Sequence, residues 1–461
     1  SDKKIIKKIN SNQLKYNKKN YNQILNAQII REISFKDNIK FEGVSINSKQ
    51  VGKGNLFIAI KGKNHDGHSF VKEAIKNEAN FCVVKKNIKN INKNKLIKCS
   101  DTINFLNKLA IKKRKYSKAK IIAITGSSGK TTLKTLLGNL LLNYKKTYFS
   151  KNSYNNHFGV PLSLCNLEND HQYGVFEIGM SKPGEIKNLS SLVKPDIGVI
   201  TNICEAHIEN FNNLDGIAKA KSEIIQNIKN NGYLILNRED KYFNYFYKIA
   251  KMKKIKVLSF GAKRKSDAYL FKNKTFKNYN LLHVKILQND IFLKVKNINP
   301  LIILNILSSL LVLSLLNLDL FTIKNLSNYF FSTEGRGKSY TIKRYRKSFN
   351  LIDESYNANP SSVKNAIFNF SKIKKDKSKK YLLLGDMLEL GNHSKKLHQS
   401  MATTINQTNI DKVFVKGSKV LSIFNSISKS KRGRILDNNF QIINLIKNDL
   451  NNNDYLMIKA S

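Results

Sequence analysis

The chain has 461 residues, of which 41% are hydrophobic, so it is long enough for two or three domains with cores of their own. Lysine and arginine total 81 against 32 acidic residues, which gives a formal net charge of +49. Such a charge suits nucleic acid or an anionic membrane as partner. The lysines, however, are spread along the whole chain and are not interleaved with aromatic residues in one segment, so we expect no nucleic-acid partner.

The cysteine pattern and the lack of a long apolar segment indicate a protein of the reducing cytoplasm. No C-x-x-C pair is present, so neither a disulfide framework nor a zinc site is indicated. The charged first residues carry no continuous apolar segment, and we expect no secretory signal. Residues 301–316 are apolar but include Asn305 and three serines and fall short of the ~20 residues of a membrane span. We expect a buried helix there, and no stable membrane insertion.

The first part of the chain contains one informative block. Residues 54–62 form a predicted strand, a polar turn follows, and residues 71–79 look helical. The two histidines of the turn could form a metal pair, but no further Cys or His lies nearby, so a turn with side-chain caps is favoured. The basic segment 112–115 is predicted to be a solvated linker or helix end, with a domain boundary near residue 116. The residues of the turn are His65, Asp66, Gly67 and His68.

An apolar run at residues 121–124 leads into a glycine-rich turn and then into a helix. The two glycines let backbone N–H groups point inward, the helix N-terminus adds its positive end, and Lys130 supplies a mobile charge. The hydroxyl of Thr131 can complete the shell of a Mg²⁺ on the phosphates. The spacing T-G-x-x-G-K-T-T is shorter than the common Walker loop, and an ordinary Gly/Ser turn is the alternative. We expect a Mg-ATP loop made of Thr125, Gly126, Ser127, Ser128, Gly129, Lys130, Thr131 and Thr132.

Polar side chains follow the next predicted strands. An amide-rich loop at 152–161 contains Asn155 and Asn156, a strand from residue 173 ends on Glu177, and a strand at 196–202 leads to His207. Ligands of open α/β sheets bind at the carboxyl ends of strands. Glu177 and His207 are therefore expected near the phosphate loop, although Glu177 could instead be a helix cap or a surface charge.

The chain continues with an amphipathic helix at 217–225, whose lysines would normally face solvent. Two more strands follow, and residues 269–295 have short alternating strands that suggest a small β insertion. A second boundary is predicted near residue 331, at the turn 332–337 that carries Arg336. This turn follows the apolar helix around Asn305.

The last third alternates strands with helices, and this alternation predicts a second parallel α/β sheet. Strands are expected at 349–352, 381–384, 413–415 and 455–458, with helices beginning at Ser361 and Ser394. The block 353–360 follows the first of these strands, where a ligand loop belongs.

These motifs, in this order and over nearly the whole chain, resemble the Mur ligases of bacterial cell-wall synthesis. The 353–360 block resembles the members that add D-alanyl-D-alanine to UDP-N-acetylmuramoyl-tripeptide. The resemblance implies a three-domain α/β fold. Its parts are a small N-terminal α/β nucleotide-sugar domain at 1–115, a central P-loop parallel-sheet ATPase domain at 116–330, and a C-terminal Rossmann-like acceptor domain at 331–461.

The resemblance also implies roles for individual residues. It implies ATP and Mg²⁺ as cofactors, with an acyl phosphate formed on the substrate carboxylate and then displaced by an amine. Lys130, His207 and a carbamylated Lys221 would be catalytic. The implied ATP-binding residues outside the loop are Asn305, Arg336 and Asp353. The implied metal ligands are Thr131, Glu177, His207 and Lys221. The implied substrate-binding residues are Ser48, Lys49, His65, Asp66, Gly67, His68, Asn155, Asn156, Tyr356, Asn357 and Asn359.

Three alternatives remain open at this point. A sister ligase that adds L-lysine or meso-diaminopimelate would prefer a diamino acid as acceptor. A basic P-loop protein that binds nucleic acid would bind DNA tightly, with an affinity that falls steeply as the salt concentration rises. A binding protein without catalytic activity would release no phosphate. For the first hypothesis we expect a cytoplasmic monomer.

Overall fold

The computed structural model describes residues 21–34, 36–37, 39–62, 64–150, 152–296, 299–329, 335–373 and 377–461. The predictions for the first residues, for Ser332, Thr333 and Glu334, and for the exact position of the boundary at 330/331 lie outside these residues. Within them, no helix combines the length and the apolarity needed to cross a bilayer.

A four-stranded parallel sheet forms the first part of the protein, with the strands in chain order. Its strands are β1 (Val44–Ser45), β2 (Leu56–Ile58), β3 (Phe81–Val84) and β4 (Leu96–Lys98). The helices around it are α1 (21–34), α2 (Val71–Lys76) and α3 (Thr102–Tyr116). The predicted helix at 71–79 is confirmed but ends three residues earlier.

A nine-stranded sheet forms the centre, in the order β13-β12-β11-β10-β9-β8-β5-β7-β6. Its strands are β5 (Lys120–Thr125), β6 (Thr147–Phe149), β7 (Tyr173–Glu177), β8 (Ile197–Ile200), β9 (Tyr233–Asn237), β10 (Lys256–Gly261), β11 (Ala268–Thr275), β12 (Asn280–Ile286) and β13 (Asn289–Val295). Its helices are α4 (Lys130–Leu142), α5 (Gly159–Cys165), α6 (Glu185–Val193), α7 (Leu214–Ser222), α8 (Phe243–Met252) and α9 (Pro300–Leu315). The predicted β insertion at 269–295 is antiparallel, and it extends this sheet rather than forming a separate unit.

A six-stranded sheet forms the last part, in the order β14-β15-β19-β16-β17-β18. Its strands are β14 (Lys338–Arg344), β15 (Lys347–Glu354), β16 (Lys380–Gly385), β17 (Lys412–Lys416), β18 (Arg432–Ile435) and β19 (Tyr455–Lys459). Its helices are α10 (Pro360–Ser371), α11 (Ser394–Asn406), α12 (Leu421–Ser426) and α13 (Asn439–Asn444). The sheet is parallel as predicted, except that the edge strand β14 runs antiparallel to β15.

The apolar helix α9 is a core helix, as the sequence predicts. Asn305, Ser308 and Ser309 are buried within it, and it packs against α4 and against strands β10 to β12. A helix that is apolar on all sides needs neighbours on all sides. The central sheet and the phosphate-loop helix provide them.

The basic segment 112–115 is the end of α3, one of the two predicted alternatives, but two of its residues are not solvated as expected. Lys113 is 4% exposed and Arg114 is 7% exposed. The guanidinium of Arg114 donates to the carbonyl oxygens of Val193 (2.6 Å) and Lys194 (3.0 Å) at the end of α6, and Lys113 Nζ donates to Asn26 Oδ1 at 2.9 Å. Unpaired carbonyls at a helix C-terminus attract cations, which explains the burial of Arg114, whereas Lys113 is buried against the Asn26 side chain.

Candidate active site

The phosphate loop connects β5 to α4. Gly126 has φ +142° and Gly129 has φ +82°, both in the region that favours glycine. A Cβ on Gly126 would lie 1.9 Å from Thr201 Oγ1. The loop is also held by the segment after β8, since Ser127 Oγ donates to the Cys204 carbonyl (3.0 Å) and Thr201 Oγ1 donates to the Ser128 carbonyl (2.7 Å). The loop is therefore fixed by the sheet below it.

Several polar groups of the loop region fit a bound nucleotide. Lys130 Nζ donates to the Gly126 carbonyl at 2.8 Å, so its charge lies across the loop. Burial lowers the pKa of Lys130, while the Glu177 carboxylate opposes that shift. Among the described residues, Thr125 Oγ1 and Asn305 Nδ2 are buried without a hydrogen-bond partner, and the Asn305 amide lies beside Gly129. Buried polar atoms without a partner are rare in proteins, and a ligand could supply the missing partner.

The Glu177 carboxylate ends β7, and three side chains surround it. Thr131 Oγ1 donates to Oε2 at 2.7 Å, Asn155 Nδ2 donates to Oε1 at 2.8 Å, and Lys134 Nζ lies 4.0 Å from Oε2. Lys134 is fully buried, and burial lowers its pKa to about 8. The structure thus brings the predicted residues Thr131, Asn155 and Glu177 together.

Mg²⁺ prefers hard oxygen ligands, so we ask whether the oxygen atoms around Glu177 suit this ion. A carboxylate and a hydroxyl lie 2.7 Å apart at the first turn of the helix that follows the phosphate loop. This is the chemistry that Mg²⁺ prefers beside a phosphate. The residues present therefore fit the predicted cation.

Arg336 reaches this group from the start of the third sheet. Its Nη2 donates to Ser153 Oγ at 3.1 Å, and the Ser153 hydroxyl lies 3.1 Å from Thr131 Oγ1. The guanidinium also lies over the Tyr356 ring, 4.0 Å from its centroid, an arrangement that favours a cation. The third sheet therefore contributes a positive charge beside the Thr131–Glu177 pair, while the contact with ATP that the resemblance implies for Arg336 stays a prediction.

Asp353 holds the turn that carries Arg336. Its Oδ2 accepts from the Gly335 N–H at 3.0 Å, and its Oδ1 accepts from the hydroxyl (2.6 Å) and N–H (3.1 Å) of Ser355. Burial alone would raise the pKa of Asp353, but these hydrogen bonds from Ser355 and Gly335 lower it. Gly335 and Gly337 both have positive φ. In this structure Asp353 acts on the position of Arg336, while its predicted contact with ATP stays a prediction.

His207 has its own partner. Its Nδ1 contacts the Glu389 carboxylate, which belongs to the segment after β16 in the third sheet. His207 itself has a left-handed backbone, with φ +60°. No hydrogen bond or ion pair joins His207 to Glu177 within the described residues, so the structure does not assemble these two predicted metal ligands directly.

Lys221 is buried near the end of α7, with 2% of its surface exposed. The sequence-based expectation that the lysines of this helix face solvent is therefore wrong for Lys221, although Lys219 is exposed. None of the ion pairs among the described residues includes Lys221. Burial and the neighbouring positive charge of Lys130 lower the pKa of Lys221 well below its ordinary value.

The predicted nucleotide-sugar residues of the first part of the chain follow β1 and β2, at the carboxyl ends of the first sheet. Asp66 Oδ1 accepts from the His68 N–H at 3.0 Å and lies 2.7 Å from His68 Nδ1, and these two contacts lower the pKa of Asp66. His68 Nε2 accepts from the Lys85 N–H at 2.9 Å. His68 is thus a buried turn residue with both ring nitrogens engaged, which agrees with the capped turn. A Cβ on Gly67 would lie 2.7 Å from the Ile60 nitrogen.

The other predicted nucleotide-sugar residues of the first part of the chain contact neighbouring side chains or solvent. Ser48 Oγ donates to Glu73 Oε2 at 2.6 Å, Lys49 is exposed, and the His65 ring meets Phe70 edge to face. A cavity of about 440 Å³ lies at this edge of the sheet. It is lined by Lys61, Asp66, His68, Lys85, Lys86, Asp101, Thr102 and Ile103.

Three predicted substrate amides are engaged in local structure. Asn156 Oδ1 accepts from the Gly159 N–H (2.9 Å) at the start of α5. Asn359 caps α10 through a capping box with Ser362, and Asn357 Oδ1 accepts from the Ser461 hydroxyl at 3.3 Å. Nothing in these contacts involves the phosphate loop, so their binding roles stay predictions. Thr132 is half-buried in the first turn of α4.

Sequence reasoning missed Lys134, Ser153 and Glu389 as members of the site. Lys134 lies one helical turn after Lys130, a spacing that places it on the same face. Ser153 lies in the amide-rich loop that the sequence already singled out. No pattern in the sequence points to Glu389 in this way, because its contact with His207 depends on how the second and third sheets pack.

The three sheets, the phosphate loop and the Thr131–Glu177 pair define an α/β protein of the phosphate-loop class. Models of the Mur ligase family match three consecutive parts of the chain: the family's catalytic domain at 40–114, its middle domain at 124–313 and its glutamate ligase domain at 341–461. The chain belongs to the Mur ligase family, and this part of the sequence-based prediction is confirmed.

Named relatives are similar over nearly the whole chain. The UDP-N-acetylmuramoyl-tripeptide--D-alanyl-D-alanine ligase of Rickettsia prowazekii is 33% identical over 93% of this chain and 94% of its own. The crystal structure of MurF from Acinetobacter baumannii has a TM-score of 0.78 at 25% identity, covering 94% of this chain and 95% of that one. MurF from Thermotoga maritima, in complex with ADP, has a TM-score of 0.72 at 27% identity, covering 91% and 94%.

A structure of the sister ligase is a more distant match. The UDP-N-acetylmuramoyl-L-alanyl-D-glutamate--2,6-diaminopimelate ligase has a TM-score of 0.50 at 14% identity, covering 94% of this chain and 92% of that one. At this identity the likeness shows a shared fold alone.

Proposed function

We propose that this protein is an ATP-dependent ligase that joins D-alanyl-D-alanine to UDP-N-acetylmuramoyl-tripeptide. The observation that carries this proposal is the similarity, over more than nine-tenths of both chains, to a relative named for that activity. The tripeptide carboxylate would attack the γ-phosphate of ATP, releasing ADP and forming an acyl phosphate. The amine of the dipeptide would then attack the acyl carbon and expel phosphate, forming the amide bond.

The phosphate loop would hold ATP. Lys130 and the N–H groups around Gly129 would face the phosphates, and the buried amide of Asn305 would take its missing partner from the nucleotide. The ADP in the Thermotoga relative supports this assignment. Arg336 would add positive charge where negative charge develops on the transferred phosphoryl group.

Thr131 and Glu177 would hold the first Mg²⁺. The ion supplies charge neutralisation and orientation for the phosphates. Asn155 and Lys134 fix the Glu177 carboxylate, so that its oxygens are already oriented toward the loop. Such fixed polar groups lower the cost of reorganisation during the reaction.

Lys221 would become a ligand by carbamylation, and His207 would complete the metal-binding set. A neutral amine attacks CO₂, forming a carbamate and releasing one proton, and the burial that lowers the pKa of Lys221 favours the neutral amine. His207 would have to share or exchange its Glu389 contact to reach a cation.

The carboxyl ends of the first sheet would bind the uridine diphosphate part of the substrate, and the third sheet would bind the dipeptide. The basic residues Lys61, Lys85 and Lys86 around the first-sheet cavity suit an anionic nucleotide sugar. We further propose that the protein works as a cytoplasmic monomer without a nucleic-acid partner.

The test is phosphate release from ATP in the presence of UDP-N-acetylmuramoyl-tripeptide. The acceptors to compare are D-Ala-D-Ala, D-Ala, L-Lys and meso-diaminopimelate, with Lys130→Ala as the inactive control. We expect release that requires D-Ala-D-Ala and is lost in the control. Release with a diamino acid in its place would assign the sister activity. No release with any acceptor, or tight salt-sensitive DNA binding instead, would reject the proposal.

A further inference from the structure

Four polar side chains form a continuous path from the third sheet to the phosphate loop. Arg336 Nη2 lies 3.1 Å from Ser153 Oγ, Ser153 Oγ lies 3.1 Å from Thr131 Oγ1, and Thr131 Oγ1 lies 2.7 Å from Glu177 Oε2. Within this path, Ser153 is the residue that contacts both the arginine and the threonine.

The chemistry of these groups fixes the direction of each hydrogen bond. Arginine has donors only, so Ser153 accepts from Arg336. The Thr131 hydrogen is donated to the Glu177 carboxylate, so Thr131 must accept from Ser153. All three bonds therefore run from the cation toward the anion, and bonds arranged in this way strengthen one another.

The segment that carries Ser153 has contacts of its own that do not involve Arg336. Asn152, the residue before Ser153, is held by Lys134, whose Nζ donates to the Asn152 carbonyl at 2.7 Å. Arg336, in contrast, lies on a turn between two glycines with positive φ. The serine is thus held by contacts of its own loop and the arginine by the turn at Asp353, so the hydrogen bond between them joins two separately held segments.

We propose that Ser153 is a positioning residue that couples Arg336, and with it the third sheet, to the Thr131–Glu177 pair. Loss of the Ser153 hydroxyl would leave the guanidinium with the Tyr356 ring and without its hydrogen bond to the phosphate-loop region. The ATP-binding part of this inference rests on the proposed function, whereas the coupling between the two parts of the chain does not.

The first experiment measures coupling without nucleotide. Hydrogen–deuterium exchange of segment 335–344 is compared in the unmodified protein, Ser153→Ala, Arg336→Gln and the double variant. We expect exchange to rise several-fold in each single variant, and the double variant to exchange no faster than the faster single one, because both changes break the same contact. Exchange unchanged in Ser153→Ala, or independent additive increases, would overturn the proposal.

The second experiment measures ATP binding by calorimetry in the presence of Mg²⁺. A hydrogen bond to a charged group corresponds to roughly ten- to a hundredfold in affinity. We expect about a tenfold loss for Ser153→Ala and for Arg336→Gln, with no further loss in the double variant. Ser153→Thr keeps the hydroxyl and should stay within about threefold of the unmodified protein.

Ser150→Ala is the matched control for both experiments. Ser150 belongs to the same loop and contacts Lys134 and Asn152, but neither Thr131 nor Arg336. A change within about twofold in Ser150→Ala supports coupling through Ser153. Equal losses in the two alanine variants would mean that only the loop's packing matters, which would refute the proposal. If ATP does not bind at all, the proposed function fails, while the exchange experiment still decides the coupling.

Discussion

His207 Nδ1 contacts the Glu389 carboxylate across the interface between the central sheet and the third sheet. The neighbouring backbone reinforces this contact, because the Glu209 N–H donates to the Glu389 carbonyl at 3.1 Å. Together the two contacts attach the segment after β16 to the segment after β8. The hydrogen bond from His207 also lowers the pKa of Glu389. The pair therefore contributes to the relative position of the two sheets that flank the candidate active site.

Glu389→Gln tests this contact. The substitution keeps the size of the side chain but removes its charge, so the hydrogen bond from His207 becomes weaker. Because this contact helps to position the two sheets beside the candidate active site, we expect a loss of about two- to tenfold in kcat. Steady-state kinetics of the ligase reaction provide the measurement. Glu209→Gln is the control, because Glu209 contacts Glu389 through its backbone. An equal loss in both variants would contradict a specific role for the Glu389 charge.

Lys221→Met should abolish most of the activity, by roughly a hundredfold or more, because the proposed carbamate could not form. Activity of the unmodified protein should rise with added bicarbonate, and ¹³C NMR with labelled bicarbonate should show a carbamate signal that is absent in the variant. Lys219→Met, an exposed position on the same helix, should leave both readouts unchanged. A protein that is fully active without bicarbonate and shows no carbamate signal would rule out this role.

Gly126→Ala should prevent nucleotide binding and destabilise the central sheet. The new methyl group would lie 1.9 Å from Thr201 Oγ1, in a backbone conformation that disfavours alanine. Gly184→Ala is the matched control, since Gly184 also has positive φ but has nothing within 4 Å of the added Cβ. The control should lose only about 1–2 kcal/mol of stability from its backbone. Thermal unfolding with and without ATP measures both effects, and equal shifts in the two variants would contradict the steric argument.

Lys113 should make the free energy of unfolding depend on pH. Burial lowers its pKa in the folded protein, while in the unfolded chain the pKa returns to about 10.4. Between these two values the unfolded chain binds a proton that the folded protein does not, so the contribution of Lys113 to stability rises with pH across that window. Urea unfolding at several pH values should show this rise.

The same pH dependence should disappear in Lys113→Met. Lys112→Met is the control, because Lys112 forms a partly exposed ion pair with Glu32, and this substitution should keep the rise with pH. A constant difference in unfolding free energy between the unmodified protein and Lys113→Met at every pH would show that the buried amine does not titrate in this range.

The sequence predicted the elements whose patterns are local. The phosphate loop, the strand that ends on Glu177 and the alternating strands and helices of the third sheet all follow from short-range spacing of apolar, glycine and polar residues. The buried helix α9 was predictable because its length and its polar residues argue against a membrane span.

Other features could not be read from the sequence because they depend on packing between distant segments. The burial of Lys113 and Arg114 requires partners far away in the chain, and the carbonyl acceptors of Arg114 at the end of α6 lie 79 and 80 residues later. The burial of Lys221 and the contact of His207 with Glu389 also depend on packing between segments that are distant in the chain. Charged residues of these types are exposed in most proteins, so a local pattern gives no warning of such contacts.

The capping of α6 by Arg114 has a consequence for substrate selection. Helix α3, which completes the first sheet, also packs against α5 of the central sheet, so the first two sheets meet at a packed interface. The separation between the first-sheet cavity and the phosphate loop is then set when the protein folds, before any substrate arrives. If the two places bind the two ends of the reacting molecules, as proposed above, a substrate is selected by its length as well as by its chemical groups.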